Sequence, residues 1–486
     1  MQWTVEEVAG ALGVAAPRGV DPLARLAGVS INSRTVVPGE LFVAIHGARH
    51  DGHNFVVAAL EAGALAGVVA ADRIAGYTET QRSKLLAVPD TLVALQFLAQ
   101  SVRTRWGRRL AAVTGSAGKT TTKEILAALL AARFRVLKSE GNLNNEYGLP
   151  LQLLRLEETD EAAVVELGMN HAGELKRLAE IARPDVGVVT RVAPVHLEFF
   201  ASIEEIALAK RELIEGLAGR DSVSVLNADD PLVARFAKVA PGRVLTFGVA
   251  ERADFSAEHI QDRGLNGTEF DFLAPEGRAR LSLPLAGRHN ISNALAALAA
   301  ASVWGVGARE AAEVFPNLEA TGMRGRVLQY DAGFTVINDC YNSNPVALGA
   351  MVGLLTSTPA AGRHILAAGE MLELGPTSAH LHREAGRLAA EAGNLDWIIG
   401  VQGDAQHLVQ GAIQTGHPAA QAKFFAASSE AGEFLSGLMQ KGDVLLVKGS
   451  RGVKMERIVE ALDARFARAS AGTPASMAGG TPRERA

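Results

Sequence analysis

The sequence predicts an α/β protein of three domains: a small α/β N-terminal domain, a central P-loop parallel-sheet ATPase domain and a C-terminal Rossmann-like doubly wound domain. Three observations predict it. The chain has 486 residues, too many for one hydrophobic core. Short apolar runs alternate with helical periodicity through its middle and final parts, the pattern of parallel strands covered by helices. Residues 110–132, LAAVTGSAGKTTTKEILAALLAA, pass from a buried strand through a small-residue turn into a helix with an apolar stripe of Ile125, Leu126, Leu129 and Leu130.

That turn is Thr114-Gly115-Ser116-Ala117-Gly118-Lys119-Thr120-Thr121. Unpaired backbone N–H groups and the positive end of the helix dipole favour a phosphate there. Lys119 can reach terminal phosphates, and the Thr120 hydroxyl can hold Mg²⁺. The first glycine of the usual phosphate-loop pattern is replaced by Val113. An ATP site is expected; the plain alternative is a Gly-containing strand–helix turn.

Composition narrows the function classes. Apolar residues make up 48% of the chain, ample for burial, and the net charge of −5 gives no bulk affinity for nucleic acid. Cys340 is the sole cysteine, so an internal disulfide is excluded and a reducing compartment is expected. The opening MQWTVEEV has two acids and no basic region, unlike a signal peptide. The uncharged run Ile291–Ala308 is Ala-rich and carries Ser and Asn, so it reads as a core helix rather than a membrane span. A cytoplasmic monomer without membrane span is expected.

Residues 1–106 form the first domain. A helix at Val5–Leu12 precedes strands around Ile31 and at Leu41–Ile45, a helix at Asn54–Ala62 and a strand at Gly67–Ala70. Ser33 and Arg34 follow the first strand. Arg34 can grip a phosphate through two parallel hydrogen bonds; taken alone it reads more readily as a surface ion-pair residue. His46, His50 and His53 read as residues solvating a loop.

Residues 107–322 form the second. After the phosphate loop come strands at Ala162–Leu167, Val186–Thr190, Val223–Leu226 and Val244–Phe247, with helices at Gly173–Ala182 and Ser202–Leu217. Ligands of such sheets sit beyond the carboxyl ends of the strands. Glu166 closes the run AAVVE, delivering a carboxylate to that edge, where Mg²⁺ takes oxygen ligands; a capping or solvated acid is the alternative. His196, in RVAPVHLEFF, lies at the same edge or packs in the core. Lys210 falls on the inward stripe Ile203, Ile206, Leu213, Leu217. Desolvation there disfavours its ammonium and exposes a reactive amine, a base, a Schiff-base former or an acceptor of CO₂; otherwise its head snorkels outward. A β-rich insertion, Phe255–Ala286, leads to GRHNISNALAA. There Asn290 and Asn293, three apart in a first helical turn, can present amides to an adenine edge; N-capping by Asn290 is the plain reading.

Residues 323–469 form the third. A strand around Val336–Asn338 runs into Asp339, followed by strands at Ile365–Ala368, Trp397–Ile399, Phe424–Ala426 and Val444–Val447. The last ends in the basic turn Lys448-Gly449-Ser450-Arg451, before a helix at Val453–Ala469. Residues 470–486 are small and polar, and read as a disordered tail.

Taken in order, TGSAGKTTTKE, GNLNNEYGLP, VVELGMNHAGEL, HLEFF with AKRELIEGL, GRHNISNALAA and DCYNSNP resemble the motifs of the Mur ligases, ATP-dependent amide-forming enzymes of peptidoglycan precursor synthesis. The resemblance spans nearly the whole chain except the tail. SRTVVPGELFVAIHGARHDGHNF, YNSNP and GEMLELG point to the branch that adds D-alanyl-D-alanine to UDP-N-acetylmuramoyl-tripeptide, and the D-N-P-R motif of the diaminopimelate-adding branch is absent. One departure is Asn32, where an acid is more usual. The resemblance implies that Lys119 contacts the β,γ-phosphates, Thr120 one Mg²⁺, and Glu166 and His196 magnesium. It implies a carbamate on Lys210 that helps hold a second Mg²⁺. Asn290 and Asn293 would face adenine, Asp339 the ribose and Arg324 the phosphates. Ser33 and Arg34 would hold the UDP end, and Asn145 would face the muramoyl-peptide. A ligase of the same architecture with another substrate, or a P-loop regulator or motor, are the competing readings.

Overall fold

The computed structural model describes residues 3–47, 50–195 and 197–469. His196 and the tail 470–486 lie outside the described residues. The chain forms two compact units: Met1–Thr321 with Asn344–Ala350 and Leu372–Leu381, and Gly322–Ser343 with Met351–Met371 and the chain from His382 onward.

The first unit contains two sheets. Four short parallel strands, β1 (Val29–Ser30), β2 (Leu41–Val43), β3 (Ala66–Ala70) and β4 (Leu85–Val88), pair in chain order. The expected helix Asn54–Ala62 is divided into a 3₁₀ turn, Gly52–Phe55, and a helix, Val56–Glu61. The division follows from His53, which does not solvate the loop as expected. Its Nδ1 meets Asp51 at 2.6 Å and its Nε2 accepts the Ala70 N–H at 2.9 Å, so the side chain is buried between them.

The second sheet has nine strands: β5 (Arg109–Thr114), β6 (Val136–Lys138), β7 (Ala162–Glu166), β8 (Val186–Val189), β9 (Val223–Asn227), β10 (Arg243–Gly248), β11 (Phe255–Asp262), β12 (Thr268–Ala274) and β13 (Gly277–Leu283). Their order is β13-β12-β11-β10-β9-β8-β5-β7-β6. The strands from β6 to β10 are mutually parallel, and β11 to β13, the expected insertion, form an antiparallel meander. Helices cover both faces of the parallel part, so its strands are apolar on both sides: Leu110 to Val113 are wholly buried. From β5 the chain goes to one side for β6 and β7, then to the other for β8 and β9. The end of β5 is therefore the switch point at which such sheets open a crevice.

Helix Lys119–Ala131 buries its predicted stripe against helix His289–Ser302, the Ala-rich core helix expected from the uncharged run. Among the described residues no helix is long and apolar enough to cross a membrane. Helix Thr91–Trp106, which the sequence patterns left unassigned, is capped by Asp90 and stopped at Gly107 (φ 62°). It packs into one continuous core shared by both sheets. Its buried Arg103 donates from Nε to the Ala182 carbonyl (2.8 Å) and from a terminal nitrogen to that of Arg183 (2.9 Å).

The second unit is built on a six-stranded sheet of β14 (Arg326–Gln329), β15 (Thr335–Asp339), β16 (His364–Gly369), β17 (Trp397–Val401), β18 (Ala422–Phe425) and β19 (Val444–Lys448), ordered β14-β15-β19-β16-β17-β18. All pairs are parallel except the edge pair β14–β15. The last helix is Glu456–Arg465, shorter than the expected Val453–Ala469. Lys454 turns left-handed before it (φ 58°), and Phe466 leaves it to pack edge-on against Phe334. Cys340 is fully buried, and burial pushes its thiol pKa far up.

Candidate active site

The phosphate loop leaves β5 at the switch point and is clamped to the exit of β8. Thr114 spends its hydroxyl on the Leu167 carbonyl (2.8 Å). The Thr190 hydroxyl donates to the Ala117 carbonyl (2.6 Å), the Ser116 N–H to the Arg191 carbonyl (2.7 Å), and the Ala193 N–H to the Ser116 hydroxyl (2.9 Å). Two positions require glycine. Gly115 (φ 148°) would place a Cβ 1.9 Å from the Thr190 hydroxyl, and Gly118 (φ 83°) one 2.2 Å from Asn293 Oδ1. Val113, where the usual pattern has glycine, is a buried strand residue paired in register with Glu166.

Gly118 is the N-cap of helix Lys119–Ala131 and offers no side chain to the first N–H groups. The helix start is thereby left to a ligand with acceptor oxygens. Lys119 Nζ donates to the Gly115 carbonyl (2.7 Å) and so lies along the loop. Thr121 is half-buried in the first turn.

Beside the loop, Thr120 donates to Glu166 Oε2 at 2.5 Å, and Asn144 Nδ2 donates to Oε1 at 2.9 Å. Glu166 is 4% exposed, and both of these donors are neutral. A buried carboxylate touching a hydroxyl beside an anion site is a pair of hard oxygen donors, which fits Mg²⁺.

Lys210 lies on helix Ile203–Glu215 and is 2% exposed, so its inward placement is as the stripe predicts. Burial, and secondly the charge of nearby Lys119, lower its pKa well below the ordinary lysine value. The two amines repel each other where an anion would relieve them.

Asn290 and Asn293 are joined, Asn293 Nδ2 donating to Asn290 Oδ1 at 2.9 Å. Asn290 does not cap its helix: it sits within the first turn and donates from Nδ2 to the Ala286 carbonyl (2.9 Å). Asn293 is set against Gly118 of the loop. Lys119, Thr120, Glu166, Asn293 and Lys210 thus gather around one crevice of the first unit.

The other predicted residues have local partners. Ser33 and Arg34 occupy the turn after β1, where Asn32 Oδ1 accepts the Arg34 N–H (3.1 Å); Arg34 itself is exposed. The Asn145 amide oxygen accepts the Gly148 N–H (2.9 Å), so that end of the side chain fastens the start of helix Gly148–Leu153. Arg324 and Asp339 belong to the second unit. The Arg324 guanidinium lies over the Tyr341 ring (4.1 Å), and Asp339 pairs with buried Lys448 at 2.6 Å.

Asn144, Ser139 and Lys123 carry no pattern in the sequence that marks them as part of this region. Thr190 was legible as the last residue of a strand run. Asn144 stands beside Asn145 in GNLNNEYG, and nothing in the string says which amide turns inward.

Profiles of this fold's families match three stretches: "Mur ligase family, catalytic domain" at residues 25–103, "Mur ligase middle domain" at 113–301 and "Mur ligase, glutamate ligase domain" at 323–451. The chain belongs to the Mur ligase family. Among its relatives, UDP-N-acetylmuramoyl-tripeptide–D-alanyl-D-alanine ligase of Escherichia coli is 36% identical, over 89% of this chain and 93% of that protein. The crystal structure of MurF from Acinetobacter baumannii superposes with a TM-score of 0.85 at 29% identity, over 95% of this chain and 99% of that one. MurF from Thermotoga maritima, solved in complex with ADP, superposes with a TM-score of 0.78 at 28% identity, over 90% and 97%.

Proposed function

We propose that this chain joins D-alanyl-D-alanine to UDP-N-acetylmuramoyl-tripeptide at the expense of ATP, giving the pentapeptide, ADP and phosphate. The observation that carries it is the crevice at the end of β5, where a phosphate loop, a Glu166–Thr120 oxygen pair and a deprotonatable Lys210 meet. The likeness to named relatives over most of the chain supplies the substrates.

In this reading the loop amides and Lys119 hold the triphosphate. Thr120 and Glu166, with His196, hold Mg²⁺, which when bound screens the anionic reactants from each other. Lys210, whose burial favours the neutral amine, would take up CO₂ and release one amine proton to give a carbamate, whose oxygens would help hold a second Mg²⁺. Asn290 and Asn293 face the adenine side, Arg324 and Asp339 the phosphates and ribose, Ser33 and Arg34 the UDP end, and Asn145 the muramoyl-peptide. The tripeptide's terminal carboxylate attacks the γ-phosphorus and ADP leaves. The amine of D-alanyl-D-alanine then attacks the acyl phosphate, and phosphate leaves from the tetrahedral intermediate. Water must be kept from that acyl phosphate. The three domains would be residues 1–106, 107–322 and 323–469, and the site of action the cytoplasm.

The test is ADP release with each substrate omitted in turn. Release should require ATP, Mg²⁺, the UDP-muramoyl-tripeptide and D-alanyl-D-alanine together. Steady ADP release without either peptide substrate would instead favour a P-loop regulator or motor.

A further inference from the structure

Lys123 takes no part in the chemistry above, yet it is among the largest fully buried side chains, at 1% exposure. It lies one helical turn beyond Lys119. Its ammonium donates to the Ser139 carbonyl at 2.6 Å and pairs with Glu124 at 2.9 Å. Glu124 is bound in turn by Lys138, on the strand that ends just before Ser139; burial alone would raise its carboxyl pKa, but the two lysines together hold it below the usual range. Helix and strand are thus stapled at the point where the chain enters the GNLNN loop.

The residues just after Lys138 bear directly on Glu166. Ser139 extends the sheet, its N–H donating to the Val164 carbonyl (3.0 Å), and its hydroxyl accepts the Glu166 N–H (3.0 Å). Five residues on, Asn144 returns to hold the Glu166 carboxylate. Segment 139–144 therefore touches both the backbone and the carboxylate of Glu166, the latter together with Thr120. Lys123 holds the Ser139 end of that segment, while Gln152 and Arg155 hold Glu140.

We infer that Lys123 is a positioning residue for the cation site: its buried charge sets the place of Ser139 and Asn144, and through them the aim of the Glu166 carboxylate. This rests on the reading of Glu166 as an oxygen donor to the metal. A long charged side chain is retained in the core because an apolar one would leave the buried Ser139 carbonyl unpaired. Removing the partners that orient a metal ligand typically weakens metal binding by roughly tenfold or more.

The test uses the full chain, with Mn²⁺·ATP binding followed by electron paramagnetic resonance and amide exchange followed without nucleotide. Lys123→Met and Ser139→Ala should each weaken Mn²⁺·ATP about tenfold, and both should speed exchange in residues 139–144 and at Glu166. Ser139→Thr, which keeps the hydroxyl, should restore affinity and protection. Combined with Glu166→Gln, Lys123→Met should add no further loss, since both act on one contact. If Glu166→Gln weakens binding while Lys123→Met leaves binding and exchange unchanged, Lys123 does not position the site, whatever Ser139→Ala does. If Glu166→Gln itself has no effect, the assignment of Glu166 to the metal is what fails. Should Lys123→Met not fold, Lys123→Gln, which keeps a polar end but removes the charge, takes its place with the same two readouts and the same expected loss.

Discussion

At the scale of single residues, the chemistry depends on which charges are buried and what faces them. Lys210 is buried with another lysine near it, and both effects favour its neutral amine. The stability consequence has a definite sign. The native value lies below the ordinary 10.5 of the unfolded chain. Between those two values the unfolded chain holds a proton that the native chain does not, so stability rises with pH. Lys210→Met removes this dependence. In CO₂-depleted buffer its urea midpoint should exceed the wild-type midpoint at neutral pH, and the advantage should shrink as pH climbs toward 10.5. With ¹³C-bicarbonate, the wild type should show a carbamate carbonyl resonance that the variant lacks. The stripe position of Lys210 left an inward and a snorkelling reading open, and its burial decides for the inward one. Asn145 was less readable still, because adjacent asparagines in an irregular loop carry no periodicity to say which side chain turns inward.

At the scale of elements, the strands and helices of the central sheet were legible because both-sided burial writes itself as continuous apolar runs. The ends were less so. The 3₁₀ turn at Gly52–Phe55 follows from a contact between His53 and the distant Ala70 N–H, which no local pattern encodes. Helix Thr91–Trp106 escaped for a different reason. It buries polar Gln96 and Arg103 as well as apolar residues, so its stripe is blurred. Arg103 satisfies the Ala182 carbonyl that ends helix Glu174–Ala182 and that of Arg183 just beyond, where the chain turns left-handed (φ 44°). Replacing it with Met would strand those carbonyls and should cost about 2–4 kcal/mol. The loss should appear as a lowered denaturant midpoint, with the phosphate loop's nucleotide affinity unchanged in the folded fraction.

At the scale of the whole molecule, the two units have separate cores, so equilibrium unfolding should not follow one transition. Calorimetry should resolve two endotherms. An ATP analogue at about a hundred times its dissociation constant should stabilise the unit carrying the phosphate loop by about 2.7 kcal/mol. A single endotherm moving as one would show that the units melt together. Composition and motif order made the layered α/β plan visible in advance. They could not show that the first two sheets share a core, because that depends on the long-range packing of one helix.

The seclusion of Cys340 has a practical use. With the native thiol inert in the second unit's interior, a maleimide dye will find no background target. Pairs of engineered surface cysteines, one on each unit, can therefore carry donor and acceptor fluorophores, and single-molecule energy transfer can then measure whether the distance between them changes when nucleotide is added.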